Sequence, residues 1–156
     1  MTGVCVRAGV AGDLAEVIAL ERATAEAPHW AEAEYAVAIV GDGAYVRRCL
    51  FVAEAKGAVI GFAIGKVAGD LAELESVAVD LQTRRGGVGR ALCGAVIDWC
   101  REAGATAVEL EVRATSGGAI GLYQGLGFTA VGGRPGYYNG PVDDAVLMRL
   151  NLMDGG

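Results

Sequence analysis

The chain has 156 residues, 53% of them hydrophobic, and a positive mean hydropathy; that is the size of one compact domain with enough apolar surface to bury a core, and it excludes disorder. A net charge of −6, with no basic run longer than Arg84-Arg85, excludes the dense positive footprint of a nucleic-acid binder. No apolar run approaches the roughly 20 residues that span a bilayer, and residues 1–12 lack the apolar stretch of a signal peptide, so one cytoplasmic domain covering 1–156, with no membrane partner, is expected.

In chain order, Val4–Ala8 reads as a strand. Asp13 and Glu16 have the spacing of a capping box ahead of a helix carried by Leu14, Val17 and Ile18. Pro28-His29-Trp30 breaks the chain, and 31–40 reads as a second helix ended by Gly41-Asp42-Gly43. Residues 50–55, 58–67 and 71–79 read as three strands, with Lys56-Gly57 and Gly69-Asp70 at hairpin turns. A helix follows over 88–103, where Val88, Leu92, Ala95, Val96 and Trp99 form an apolar stripe widened by Cys93, Ile97 and Cys100; Gly104 ends it. Residues 106–112 are a strand and 118–126 a short helix closed by Gly127. The last two strands, 128–131 and 145–150, are joined by a loop rich in Gly, Pro and Tyr.

The order β-α-α-β-β-β-α-β-α-β-β implies a mixed sheet with helices packed on it, parallel where 71–79 and 106–112 are linked by the 88–103 helix. Ligands in such sheets bind at the carboxyl ends of parallel strands, which places 80–89 and 111–118 at one edge. The cysteines, Cys5, Cys49, Cys93 and Cys100, form no Cys-x-x-Cys pair and His29 is the single histidine, so no metal site is expected and all four read as small buried hydrophobes.

The segment from Val77 to Arg90 carries a chemical signal. A strand runs into Gly86, Gly87 and Gly89 as a helix begins, so backbone N–H groups converge where the helix end adds partial positive charge. Such a nest suits a pyrophosphate, and Arg84, Arg85 and Arg90 add mobile positive charge. The pattern is not Gly-x-x-x-x-Gly-Lys-Ser/Thr, and Leu92 stands where Gly-x-Gly-x-x-Gly needs its third glycine.

Arg84-x-x-Gly87-x-Gly89, preceded by Val77-Ala78-Val79-Asp80, resembles the acetyl-CoA signature of the GNAT superfamily of N-acetyltransferases. The resemblance implies an α/β (α+β) GNAT fold: a mixed, mostly antiparallel seven-stranded sheet with splayed parallel central strands and about four flanking helices. It implies acetyl-CoA as co-substrate, the backbone at Val77, Ala78 and Val79 pairing with the pantetheine arm, and Arg84 to Arg90, with Val88 among them, holding the pyrophosphate. Leu110-Glu111-Val112-Arg113-Ala114-Thr115-Ser116, then Ala119-Ile120-x-Leu122-Tyr123-x-x-Leu126-Gly127-Phe128, is similar to the RimI type, which acetylates the N-terminal alanine of a small-subunit ribosomal protein. Gly136-Tyr137-Tyr138, Asp144-Ala145 and Met148 also resemble that group's ending. Ser116 stands where the group carries an Asn that touches the pantetheine arm, and supplies one hydrogen bond in place of an amide. Arg134-Pro135-Gly136 stands where the group carries Arg-Arg-Asn.

The resemblance implies Glu111 as general base and Tyr123 as general acid, with Tyr123 also beside the coenzyme. Glu75 is a rival base and, with Tyr137 and Tyr138, an expected acceptor contact. Glu111 also alternates with Glu109 and Arg113, as on a solvated strand face, and Tyr123 has the alternative of packing beneath its helix. Trp30 and Tyr35 read as packing residues, and His29 receives no role. The expected acceptor is an N-terminal α-amine of the alanine type; a small-molecule amine and a non-catalytic acyl-CoA-binding module are the alternatives. A monomer and a homodimer are equally compatible with the sequence.

Overall fold

The computed structural model describes residues 3–23, 35, 45–83 and 86–152. Its strands are β1 (Val4–Ala8), β2 (Val46–Ala55), β3 (Ala58–Ala68), β4 (Leu71–Val79), β5 (Ala107–Arg113), β6 (Thr129–Tyr138) and β7 (Asp143–Asn151). They form a 7-stranded sheet in the order β1-β2-β3-β4-β5-β7-β6, antiparallel throughout except at β4 and β5. The helices are α1 (Leu14–Arg22), α2 (Val88–Glu102) and α3 (Gly117–Gly125). The expected 31–40 helix lies outside the described residues apart from Tyr35, which is helical and fully buried.

Each face of the sheet is covered. Val88, Leu92, Cys93, Val96, Ile97 and Cys100 press the stripe of α2 on one face, while Val17 and Tyr35 meet Leu50, Val52, Phe62 and Ile64 on the other. β3 runs between the two layers, which is why its sequence is an almost unbroken apolar run rather than an alternation. Gly65 lies directly beneath α2, where an added Cβ would fall 2.5 Å from Val96 Cγ1. The β2–β3 turn is the expected Lys56-Gly57, with φ of 52° and 77°, the primed geometry that suits strand twist.

Four expectations need correction. β2 starts at Val46 rather than at 50, because Arg47 and Arg48 hide the strand signal; Arg47 donates to the Ala103 carbonyl and Arg48 to Glu75. Asp13 and Glu16 make no capping box: Asp13 accepts from the Val10 N–H and from Arg7, and Glu16 accepts from the Val59 N–H. Cys5 is exposed, not buried, because it sits on the outer face of an edge strand. The long loop expected before the last strand is mostly strand, since β6 continues to Tyr138 and β7 starts at Asp143.

No helix among the described residues is long and apolar enough to cross a membrane. Among the same residues no cluster of His, Cys, Asp and Glu is arranged to hold a metal ion.

Candidate active site

β4 and β5 are partners only through Leu71↔Ala107, Ala72↔Val108 and Glu73↔Glu109. Beyond these pairs they part, and a cleft of about 730 Å³ occupies the gap. Leu74 to Val79 of β4 form one wall and Glu111 to Arg113 of β5 the other. Gly87, Gly89 and Arg90 at the start of α2 close one end; Thr115 to Ala119, Leu122 and Tyr123 close the floor.

The departure of β4 begins at a bulge. Ile64 pairs with Ser76 and the next residue, Gly65, with Leu74, leaving Glu75 as the extra residue. One extra residue reverses which side chains face which layer. Ahead of it Ala72 and Leu74 pack under α2; after it Val77 and Val79 do so, and Ala78 turns to the opposite layer. At the start of α2, Gly87 has φ of +82°, a left-handed conformation that a side chain would strain. The first amides of the helix, which have no partner within it, therefore follow a turn without a side chain, a cradle that fits a diphosphate.

A smaller cleft of about 280 Å³ borders the first; Leu74, Glu75, Glu111 and Tyr138 line both. It adds Glu73, Glu109, Leu110, Arg134, Tyr137 and Leu147. Its carboxylates differ in their ties. Glu109 is held by Arg149. Glu75 accepts from Arg48 Nε at 3.0 Å, and burial pushes its carboxyl up against the opposing pull of that arginine. Glu111 is a third exposed, and among the described residues its ion-pair partner is the Arg134 Nε, 3.5 Å away. Across the larger cleft the Tyr123 ring meets Phe128 edge-on at 5.9 Å. Burial holds its phenol well above the ordinary tyrosine range. Burial, then the Glu111 carboxylate, also raises that of Tyr138.

Of the residues singled out in the sequence, Glu75, Val77, Ala78, Val79, Gly87, Gly89, Arg90, Glu111, Ser116, Tyr123 and Tyr138 line the larger cleft, and Tyr137 the smaller. Gly86 and Val88 line neither; the Val88 side chain is buried in the core beneath α2. Arg84 and Arg85 lie outside the described residues. Leu74, Ser76, Val112, Arg113, Thr115 and Arg134 line a cleft without having been given a role. For the bulge a signal existed: apolar residues fall at 72 and 74, then at 77 and 79, a slip of register visible in the letters.

The profile of the acetyltransferase (GNAT) family matches residues 14–128. The [ribosomal protein bS18]-alanine N-acetyltransferase of Escherichia coli (strain K12) is 40% identical over 98 residues, which is 62% of this chain and 66% of that protein's length. The crystal structure of the ribosomal-protein-S18-alanine N-acetyltransferase from Escherichia coli superposes with a TM-score of 0.80 at 31% identity, covering 98% of this chain and 96% of that one. Arabidopsis thaliana NAA60 in complex with acetyl-CoA has the same fold, with a TM-score of 0.82 at 21% identity over 96% of this chain and 98% of that one.

Proposed function

Because the chain belongs to the acetyltransferase (GNAT) family of N-acetyltransferases, we propose that it transfers acetyl from acetyl-CoA to the N-terminal α-amine of a protein that begins with alanine. The observation that carries this reading is the parting of β4 from β5. Among the described residues it leaves the β5 side of β4 without a neighbouring strand beyond Glu73, and so suits an extended pantetheine arm. The turn at Gly87 and Gly89 with Arg90 would hold the diphosphate, and Ser116 the arm. The acceptor matches the proteins the chain resembles, bS18-alanine N-acetyltransferases.

Glu111 would accept the proton that the amine gives up as its nitrogen bonds to the acetyl carbon. Tyr123 would donate to the sulfur as the carbon–sulfur bond breaks. Burial supports that role, since it keeps the phenol protonated. Tyr137, half exposed beside Tyr138, leaves the smaller cleft open as a groove, which suits a chain end better than an enclosed small amine.

An α-amine with pKa near 8 is neutral roughly a tenth of the time at pH 7, and a lysine with pKa near 10.4 less than about a thousandth. One carboxylate base is adequate for the first. Peptides beginning with alanine and Nα-blocked lysine peptides, incubated with acetyl-CoA and read by mass spectrometry, test the proposal. Acetyl on the α-amine is expected. Faster acetylation of the lysine peptides, or of a free polyamine, would overturn it.

A further inference from the structure

Arg113 ends β5 two residues beyond Glu111, on the same face of the strand. Its Nη1 donates to the Pro141 carbonyl at 2.8 Å and its Nη2 to the Asn139 carbonyl at 3.1 Å. The guanidinium carbon sits 4.5 Å from the centre of the Tyr138 ring. Tyr138 meets Tyr137 edge-on, with centroids 5.1 Å apart and planes at 80°. Tyr137 lies under the Arg134 guanidinium at 5.5 Å, and Arg134 Nε returns to Glu111 Oε2 at 3.5 Å. Cation, ring, ring, cation and carboxylate thus make a ladder that starts and finishes on β5.

The ladder explains how the β6–β7 connection is held. Tyr138 is on the boundary of the two clefts, yet it ends an edge strand whose pairing is broken between Arg134 and Tyr138. Backbone pairing with Asp143 holds the end of the strand, and Arg113 holds the Tyr138 ring. A guanidinium can donate to two carbonyls in its plane and still present its face to a ring. An ammonium cannot do both.

We propose that Arg113 is a positioning residue for the acceptor, holding Tyr138, and through it Tyr137 and Arg134, as the wall of the acceptor groove beside Glu111. This rests on the functional reading above only in naming what the groove receives. Both Nη atoms are committed to the connection, so Arg113 acts through Tyr138 and not on the coenzyme, although it borders the coenzyme cleft.

The test uses Arg113→Lys and Arg113→Met. With an alanine-first peptide as acceptor, both raise the acceptor KM about tenfold, lower kcat less, and leave the acetyl-CoA KM within about twofold. Tyr138→Ala raises the acceptor KM alike, Tyr138→Phe keeps it low, and the Arg113→Met/Tyr138→Ala pair adds nothing further, because the two residues work as one unit. An acetyl-CoA KM that rises alone, or effects of Arg113 and Tyr138 that add, would overturn the proposal. A second readout does not depend on turnover. In 13C-tyrosine NMR the Tyr138 ring signal, shifted by Arg113 in the parent protein, moves toward the exposed position in Arg113→Met. A signal that stays put sinks the ladder; a parent enzyme inert toward every amine sinks only the functional reading.

Discussion

At the scale of single residues, two glutamates border both clefts, and their surroundings separate them. Glu75 is mostly buried and tied to Arg48, so it is occupied as a structural partner. Glu111 has one long, half-exposed contact, a kind of pair that contributes about 0–1 kcal/mol and yields to an incoming amine. Glu111→Gln should therefore lower kcat at pH 7 about a hundredfold, and Glu75→Gln should mainly lower stability. Steady-state rates beside thermal melts decide; a Glu111→Gln enzyme with full rate refutes the assignment. Tyr123 gives a further pH prediction. A phenol raised above its ordinary value of about 10 stays protonated throughout the neutral and mildly alkaline range. Tyr123→Phe should lower kcat by about 10- to 100-fold without moving any alkaline limb that appears below pH 10. A limb that vanishes in Tyr123→Phe would mean that Tyr123 titrates in that range. That Glu111, Tyr123, Gly87 and Gly89 would come to one cleft was legible because each lies in a contiguous motif. Arg113 and Arg134 were quoted in motifs and still unreadable, because each reaches a partner on another strand, Tyr138 of β6 for Arg113 and Glu111 of β5 for Arg134.

Among the elements, legibility followed the strength of periodic burial. α2 was readable almost to the residue, since Val88, Leu92, Val96 and Cys100 recur at helical spacing and are all buried. β6 was not, because it is an edge strand exposed along nine of its ten residues, so no alternation marks it and Pro135 is tolerated there. The contact between α2 and β3 explains why two glycines occur in a central strand, where glycine ordinarily weakens pairing. A Cβ at Gly61 would lie 2.9 Å from Leu92 Cδ1, and one at Gly65 2.5 Å from Val96 Cγ1. Gly65→Ala should cost about 1–3 kcal/mol by overpacking. Adding Val96→Ala should cost less than the sum of the two single changes, since the second removes the atom that the first strikes. Urea midpoints of the four proteins close this cycle; strictly additive changes would show that α2 shifts without strain.

For the whole molecule, the layered sheet couples function to burial. The cleft exists because β4 leaves β5, and β4 can leave only while α2 and α1 hold its two faces. The helical period and apolar strands announced these layers in the sequence; the point of parting depended on a bulge, marked only by the slip of apolar register between 74 and 77. The same layers enclose three thiols, and this makes stability depend on alkaline pH. Burial pushes Cys49, Cys93 and Cys100 up to about 12. In the unfolded chain a thiol titrates near 8.5. Above that pH the unfolded state releases these protons while the folded state keeps them. The unfolded state then binds fewer protons, and stability falls as pH rises, by up to about 1.4 kcal/mol per pH unit for each thiol. Below about pH 8.5 both states are protonated and the contribution is flat. Urea midpoints should hold steady from pH 7 to 8.5 and decline steeply by pH 10. In a Cys93→Ala/Cys100→Ala protein the decline should be shallower, even though its midpoint at pH 7 is lower. An unchanged alkaline slope in that protein would move the cause from the buried thiols to repulsion within an acidic chain.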